Sequence, residues 1–234
     1  MQGVFSATPE RKHPARIPPD TRRNLMDLTI LIVDDSPFIV DGLAAILTRK
    51  GYTPISASGG EECIRILETV KPDLILLDIM MEPMDGWETL ETIKENPVTK
   101  EIPVLMFSAK KITPAEAQEH SMSIDDFVSK PVSPAQLLDS IQRIFSRRND
   151  LTLETLGAKN KGLDPAVIDE YRALRKSIEV DRNLLVILKS SSGMDIPGHD
   201  VPREEVEALR NLEDKIYRAE RRLREINDMF GKTA

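Results

Sequence analysis

The sequence predicts an α/β protein, with a doubly wound five-stranded parallel sheet over residues 28–148 and a two-helix coiled-coil hairpin near the C-terminal end. Between Leu28 and Arg148, short apolar runs alternate with helix-length segments, and strands joined by crossovers of that length pair in parallel. The first, third and fourth runs are almost wholly apolar, as strands buried on both faces are. Beyond residue 166, apolar side chains recur at spacings of three and four, the rhythm of helices that pack along a shared seam.

Taken in order, the first strand is 28–33, rich in Ile, Leu and Val. Ser36-Pro37 supplies an N-cap and a proline at the first helical position of a helix at 37–49. Gly51 closes that helix as a C′ residue would. Residues 53–57 make the second strand and 60–70 the second helix, with Cys63 as a packed thiol in mid-helix. The third strand, 73–77, leads through Asp78 and the Met84-Asp85-Gly86 turn to a helix at 86–95, where Trp87 is expected to lie partly exposed. The fourth strand is 103–108. Thr113-Pro114 starts a short, weakly apolar helix at 114–120, expected to be the least stable element and so suited to a switching surface. The fifth strand is 126–129, and Ser133-Pro134 repeats the cap-and-proline start for a helix at 134–147. Right-handed crossovers place helices on both faces of the sheet.

Residues 149–165, with Gly157 and Gly162 among polar residues, read as a linker. Asp164-Pro165 opens the first hairpin helix, whose stripe of Val167, Tyr171, Leu174, Ile178, Leu185 and Leu188 is interrupted by Asp181. A loop over 190–202 precedes the second helix, in which Leu209, Leu212, Ile216, Ala219, Leu223, Ile226 and Phe230 run without a break. The hairpin spans 166–232, is expected to be antiparallel, and needs a further apolar surface to bury its seam.

The chain carries a net charge of −7 over 234 residues, and residues 28–148 hold 12 Lys and Arg against 19 Asp and Glu. So acidic a unit argues against a broad nucleic-acid surface. A single cysteine excludes an internal disulfide framework and fits a reducing compartment. No apolar stretch approaches the ~20 residues that span a bilayer. Residues 1–27 lack the apolar core of a signal peptide and mix prolines with Arg and Lys, so they read as a disordered, mildly basic leader. The expected location is cytoplasmic.

Polar groups stand where the apolar strands end: the acidic pair Asp34-Asp35, the lone Asp78, the hydroxyl of Ser108 and the ammonium of Lys130. In an open parallel sheet the C-terminal strand ends border one crevice, and ligands bind there. Singly each has an ordinary explanation, since Asp and Ser cap helices. Together they suit Mg²⁺-assisted phosphoryl transfer to a carboxylate. A carboxylate can attack phosphorus to give an acyl phosphate. Crowded acids favour a divalent cation between them, while Lys130 and Ser108 can neutralise and hydrogen-bond phosphoryl oxygens.

On Asp34-Asp35, Asp78, Met84-Asp85-Gly86, Ser108-Ala109 and Lys130-Pro131, residues 28–148 resemble the receiver domain of two-component response regulators. The resemblance implies a flavodoxin-like doubly wound fold, Asp78 as phosphoacceptor and a sensor histidine kinase as phosphodonor. It implies Asp35 and Asp78 as direct Mg²⁺ ligands, Asp34 acting through water, and the backbone carbonyl of Met80 as the third protein ligand. It also implies a switch in which Ser108 moves toward the phosphoryl group and Phe127 follows inward; plain core packing is the other reading of Phe127. The loop after Asp78 departs from the family, with Glu82-Pro83 where Pro then Gly is commoner. Met80 and Lys110 stand at positions that the family uses to tune dephosphorylation.

No histidine reads as catalytic: His199 falls in the loop between the hairpin helices, and His13 and His120 read as solvated residues. A phosphatase or haloacid-type hydrolase would place an additional acid/base where Met80 stands. The chain is thus expected to be a phosphoacceptor signalling protein rather than an enzyme. In the hairpin Arg218, Arg221, Arg222 and Arg224 cluster, yet residues 166–234 balance 13 basic against 14 acidic and show no helix-turn-helix pattern. DNA is therefore disfavoured as a partner. A homodimer through residues 166–230 is the favoured use of the seam, and docking to a downstream protein target is the alternative. The rival function is a phosphorylation-independent scaffold on the same fold.

Overall fold

The computed structural model describes residues 28–192 and 202–232. The leader reading of 1–27 and the reading of His199 fall outside the described residues. Strands β1 (Thr29–Val33), β2 (Thr53–Ala57), β3 (Leu74–Asp78), β4 (Val104–Ser108) and β5 (Asp126–Ser129) form one parallel sheet in the order β2-β1-β3-β4-β5. Helices α1 (Pro37–Arg49), α2 (Gly60–Leu67), α3 (Gly86–Glu95) and α4 (Pro114–His120) alternate with them. Three long helices follow: α5 (Pro134–Asn160), α6 (Pro165–Ser192) and α7 (Arg203–Lys232). The chain changes direction across the sheet between β1 and β3, the switch point at which such sheets open a crevice.

Alternation along the strands divides the core into two layers. Leu31, Val33, Ile75, Leu77, Val104, Met106 and Phe127 pack with Cys63 and Leu67 of α2, Leu90 and Ile93 of α3, and Ala117 of α4. Ile30, Ile32, Leu74, Leu76, Leu105, Phe107 and Val128 pack with Leu43 and Leu47 of α1 and Leu137, Ile141 and Ile144 of α5. Cys63 is fully buried, and burial pushes its thiol up to about 12. Ser36 stands at the N-cap position of α1 before Pro37, but its side chain makes no capping hydrogen bond; α3, α4 and α5 are capped by side chains. Thr113 with Glu116 and Ser133 with Gln136 form capping boxes, and Asp85 with Glu88 forms another at α3. Gly51, with φ of 87°, turns the chain out of α1 in the left-handed region that glycine enters freely.

The stretch read as a linker is helix. α5 continues through Arg148 to Asn160, and only residues 161–164 separate it from α6. An interior glycine costs a helix about 1 kcal/mol, so Gly157 weakens this extension locally. Tertiary burial outweighs that cost: Leu151, Thr155 and Ala158 are buried, and Leu151 packs with Tyr171 of α6 and Ile226 of α7. The Tyr171 hydroxyl also donates to Glu154 on α5 at 2.8 Å.

α6 and α7 are antiparallel, as the pairs Lys189–Glu213, Arg182–Glu220 and Glu170–Arg222 show. Their seam, however, is covered within the chain. Leu209, Leu212 and Ile216 of α7 and Val180, Leu184 and Leu188 of α6 belong to the same core cluster as Ala117, Ile124 and Phe127. Leu223 and Ile226 close on Leu151 and Tyr171. Asp181 does not leave a weak layer: it is fully buried and paired with Lys215 at 3.0 Å, and it accepts from the Ser177 hydroxyl at 2.8 Å. Among the described residues no helix is long and apolar enough to cross a membrane.

Candidate functional site

β1 runs directly into Asp34, which is buried; its Oδ1 accepts from the Ser36 amide at 2.8 Å, and this fixes the carboxylate. Asp35 follows and is exposed. β3 ends on Asp78, whose Oδ1 accepts from the Ile79 amide at 2.8 Å. Oxygens of Asp34, Asp35 and Asp78 lie within 4.8 Å of one another. Lys130, just past β5, reaches across the crevice. Its Nζ stands 2.7 Å from Asp34 Oδ2 and 2.9 Å from Asp78 Oδ2. The same ammonium lies 4.5 Å from the centre of the Phe107 ring, a face that attracts cations. Its backbone amide donates to the Ser108 carbonyl at 2.8 Å, which ties the residue to the end of β4.

Burial raises the Asp78 carboxyl above its ordinary range, and the charge of Asp34 adds to the rise. The Lys130 ammonium and the backbone at Met80 offset only part of it. Space around Asp78 is tight. A Cβ on Gly86 would overlap the Asp78 carbonyl oxygen and crowd Ile79 Cα, so only glycine lets α3 start this close. The Gly86 amide donates to Ile79 O at 3.0 Å across that contact.

Ser108 is fully buried at the end of β4 and pairs in the register with Ser129, the residue before Lys130. Its hydroxyl accepts from the Lys110 amide at 3.1 Å. Lys110 in turn pairs with Glu116 at 2.7 Å, joining the strand-end loop to the cap of α4. Phe127 is buried in the layer shared with α4, α6 and α7. The Met80 side chain is exposed. The crevice therefore gathers Asp34, Asp35, Asp78 and Lys130 directly, with Ser108 at its margin and Phe127 in the layer behind. Hard oxygen donors at this spacing suit Mg²⁺.

Sequence reasoning missed the contacts that lead away from the crevice. The Asn183 side chain on α6 donates to Asp126 Oδ1 at 2.5 Å and to Phe127 O at 2.8 Å, along β5. Arg147, buried on α5, donates to Asp125 O at 2.8 Å and to Glu179 of α6 at 3.0 Å. His120 is not simply solvated: its ring stacks on Trp87 with centres 4.1 Å apart, joining the end of α4 to the start of α3.

Comparison with known proteins agrees with this geometry. Residues 30–142 match the family described as response regulator receiver domain, and residues 147–234 match the one described as Metanogen output domain 2. The alkaline phosphatase synthesis transcriptional regulatory protein PhoP of Bacillus subtilis (strain 168) is 32% identical over 164 residues, which cover 67% of this chain and 67% of that protein. The probable transcriptional regulator ycf27 of Cyanidium caldarium is 32% identical over 184 residues, covering 74% and 73%. The solved N-terminal domain of a response regulator receiver protein from Methanoculleus marisnigri JR1 is 56% identical, covering 50% of this chain and 94% of its own, with a TM-score of 0.44. The chain belongs to the response regulators of two-component signal transduction, its receiver domain joined through one continuous helix to a helical region of a separate output family.

Proposed function

We propose that this response regulator accepts a phosphoryl group on Asp78 from a sensor histidine kinase, and that the phosphorylated receiver changes how α6 and α7 sit upon it. The observation that carries this reading is the double pairing of Lys130 with Asp34 and Asp78. Asp78 Oδ1 is engaged by the Ile79 amide, so Oδ2, the oxygen facing Lys130, is the one placed to attack phosphorus. The new O–P bond forms as the P–N bond to the kinase imidazole breaks, and the nitrogen keeps the electron pair. Lys130 then exchanges a carboxylate partner for a phosphoryl oxygen, and Ser108 offers its hydroxyl to another. Asp35 and Asp78, Asp34 through water, and the Met80 carbonyl would hold Mg²⁺, which supplies charge neutralisation at the phosphoryl oxygens when bound.

The route outward follows from packing. Phe127 shares a core cluster with Leu184, Leu212 and Ile216, and its carbonyl is held by Asn183. A shift of Ser108 and Phe127 is therefore felt by α6 and α7. The chain acts as a phosphoacceptor and not as an enzyme on other substrates. A homodimer through residues 166–230 rested on an open seam; since the seam closes on α5 and the receiver, its first partner is this chain, and the output is contact with a downstream protein. The PhoP and ycf27 relatives are transcriptional regulators by name. Here the output region forms charge-laced antiparallel helices, which favours a protein contact over DNA. The lone buried thiol of Cys63 accords with a cytoplasmic location.

The test is to incubate the full chain with acetyl phosphate and Mg²⁺ and record its intact mass. One phosphoryl group is expected, absent from Asp78→Asn. Label retained elsewhere in that variant would refute the assignment, and no label in the parent chain would favour a phosphorylation-independent scaffold.

A further inference from the structure

Across the sheet from Asp78, at the strand ends where β4 and β5 begin, a crevice of about 370 Å³ opens between the receiver, α5 and α6. The chain as a whole is acidic, at −7. Yet basic residues from separate segments converge on this crevice: Lys94 at the end of α3, Lys100 before β4, Arg147 and Arg148 on α5, and Arg172 and Lys176 on α6. Only Glu101, Asp125 and Asp169 among its lining residues oppose them.

The one buried acid is heavily shared. Asp125 Oδ1 lies 3.4 Å from Lys176 and 3.6 Å from Arg147, while its Oδ2 already accepts from the Val104 amide at 3.1 Å. Lys94 donates to the carbonyls of Lys100 and Ile102 at 3.1 and 2.8 Å, which orient the ammonium but give it no countercharge. Burial, and then the nearby Lys176 and Arg148 charges, outweigh the attraction of Asp125 and hold Lys94 down at about 8. The side chains of Lys100 and Arg172 make no ion pair among the described residues. Arg147 is partly offset by Glu179, at 3.0 Å on α6, and Arg148 donates to the Glu101 carbonyl at 3.0 Å; the basic groups from both sides of the junction nevertheless line one crevice.

We propose that this crevice binds a small phosphate-type anion carrying two or more negative charges, and that the bound anion fastens α6 to the receiver. Guanidinium forks and ammonium groups are the donors that hold such oxygens, and the volume suits a pyrophosphate or a nucleoside diphosphate. An occupant bridges Lys94 and Lys100 on the receiver side to Arg172 and Lys176 on α6. By linkage it stabilises the docked arrangement in proportion to its occupancy. The site lies apart from the Asp78 crevice, so it constitutes a second input to the same junction and does not depend on the phosphoacceptor reading.

Titration calorimetry of the full chain with pyrophosphate, without Mg²⁺ and at about 50 mM salt to limit screening, should show binding at one site. Lys100→Ala combined with Arg172→Ala alters two exposed side chains, so the fold should persist by circular dichroism while affinity falls about tenfold or more. Asp169→Asn removes an opposing charge and should tighten binding. Asp78→Asn should bind as the parent does. A parallel titration with ADP identifies the source: tighter binding names a nucleotide, equal binding a free pyrophosphate. No heat at millimolar pyrophosphate, unchanged affinity in the double variant, or loss of binding in Asp78→Asn would each overturn the proposal.

Discussion

Asp78 keeps one carboxylate oxygen on the Ile79 amide and turns the other to Lys130. The backbone carrying that carboxylate is packed against Gly86, which lets α3 begin against the Asp78 carbonyl. Gly86→Ala should cost about 2 kcal/mol or more through backbone displacement and slow phosphorylation from acetyl phosphate. Urea unfolding with a phosphorylation time course checks both, and a stable variant of unchanged rate would show that the close approach is dispensable. Glu116 yields a prediction on pH. Burial alone would raise its carboxyl, but the Lys110 ammonium and the Thr113 amide and hydroxyl prevail and lower it from 4.5 to about 2. A depressed carboxylate contributes stability above its unfolded pKa, and that contribution fades as pH falls toward the folded one. The cap of α4 should therefore weaken between about pH 4.5 and pH 2. Glu116→Gln should flatten this part of the stability profile, measured by urea titration at stepped pH.

At the scale of elements, what the chain discloses and what it hides have separate physical causes. Strand runs, N-caps at Thr113 and Ser133, and the glycine after α1 obey rules acting over a few residues, so the sequence shows them. The groups at the strand ends were equally legible, because parallel topology brings C-terminal strand ends together whatever the loops do. The extension of α5 was hidden: Gly157 and a polar composition resemble a linker, and the helix is held by Leu151 meeting Tyr171 and Ile226. Lys215 with Asp181 and Asn183 with Phe127 were hidden too, since each pair forms only once segments distant in sequence dock. The docking can be probed on α7. Leu212→Glu places a charge in the shared core and should cost about 3 kcal/mol or more, unless α6 and α7 swing away from the receiver. Amide hydrogen exchange across β5 and α4 separates the outcomes: faster exchange there shows that the helices had covered this face, and no change would mean that they do not protect it.

For the whole molecule, one core layer runs from the sheet through α4 into α6 and α7. Receiver and output region should then unfold together. Trp87 reports the receiver, while far-ultraviolet dichroism is dominated by the long helices, so coincident thermal transitions are expected from the two signals. Two separated transitions would show that the halves are energetically independent. The continuity of α5 has a mechanical consequence as well. A flexible tether transmits proximity alone, but a rigid shaft about 40 Å long transmits angle, and a small tilt at its receiver end becomes a larger displacement at Asn160. It also sets a rotational phase between the halves. One residue inserted in α5 beyond Arg148 would turn Leu151 by about 100° away from Tyr171 and Ile226, whereas seven residues, nearly two full turns, would restore its phase while shifting it about 10 Å along the helix axis. Signalling that tolerates seven inserted residues better than one would identify torsion, rather than reach, as the quantity that passes from one half of the molecule to the other.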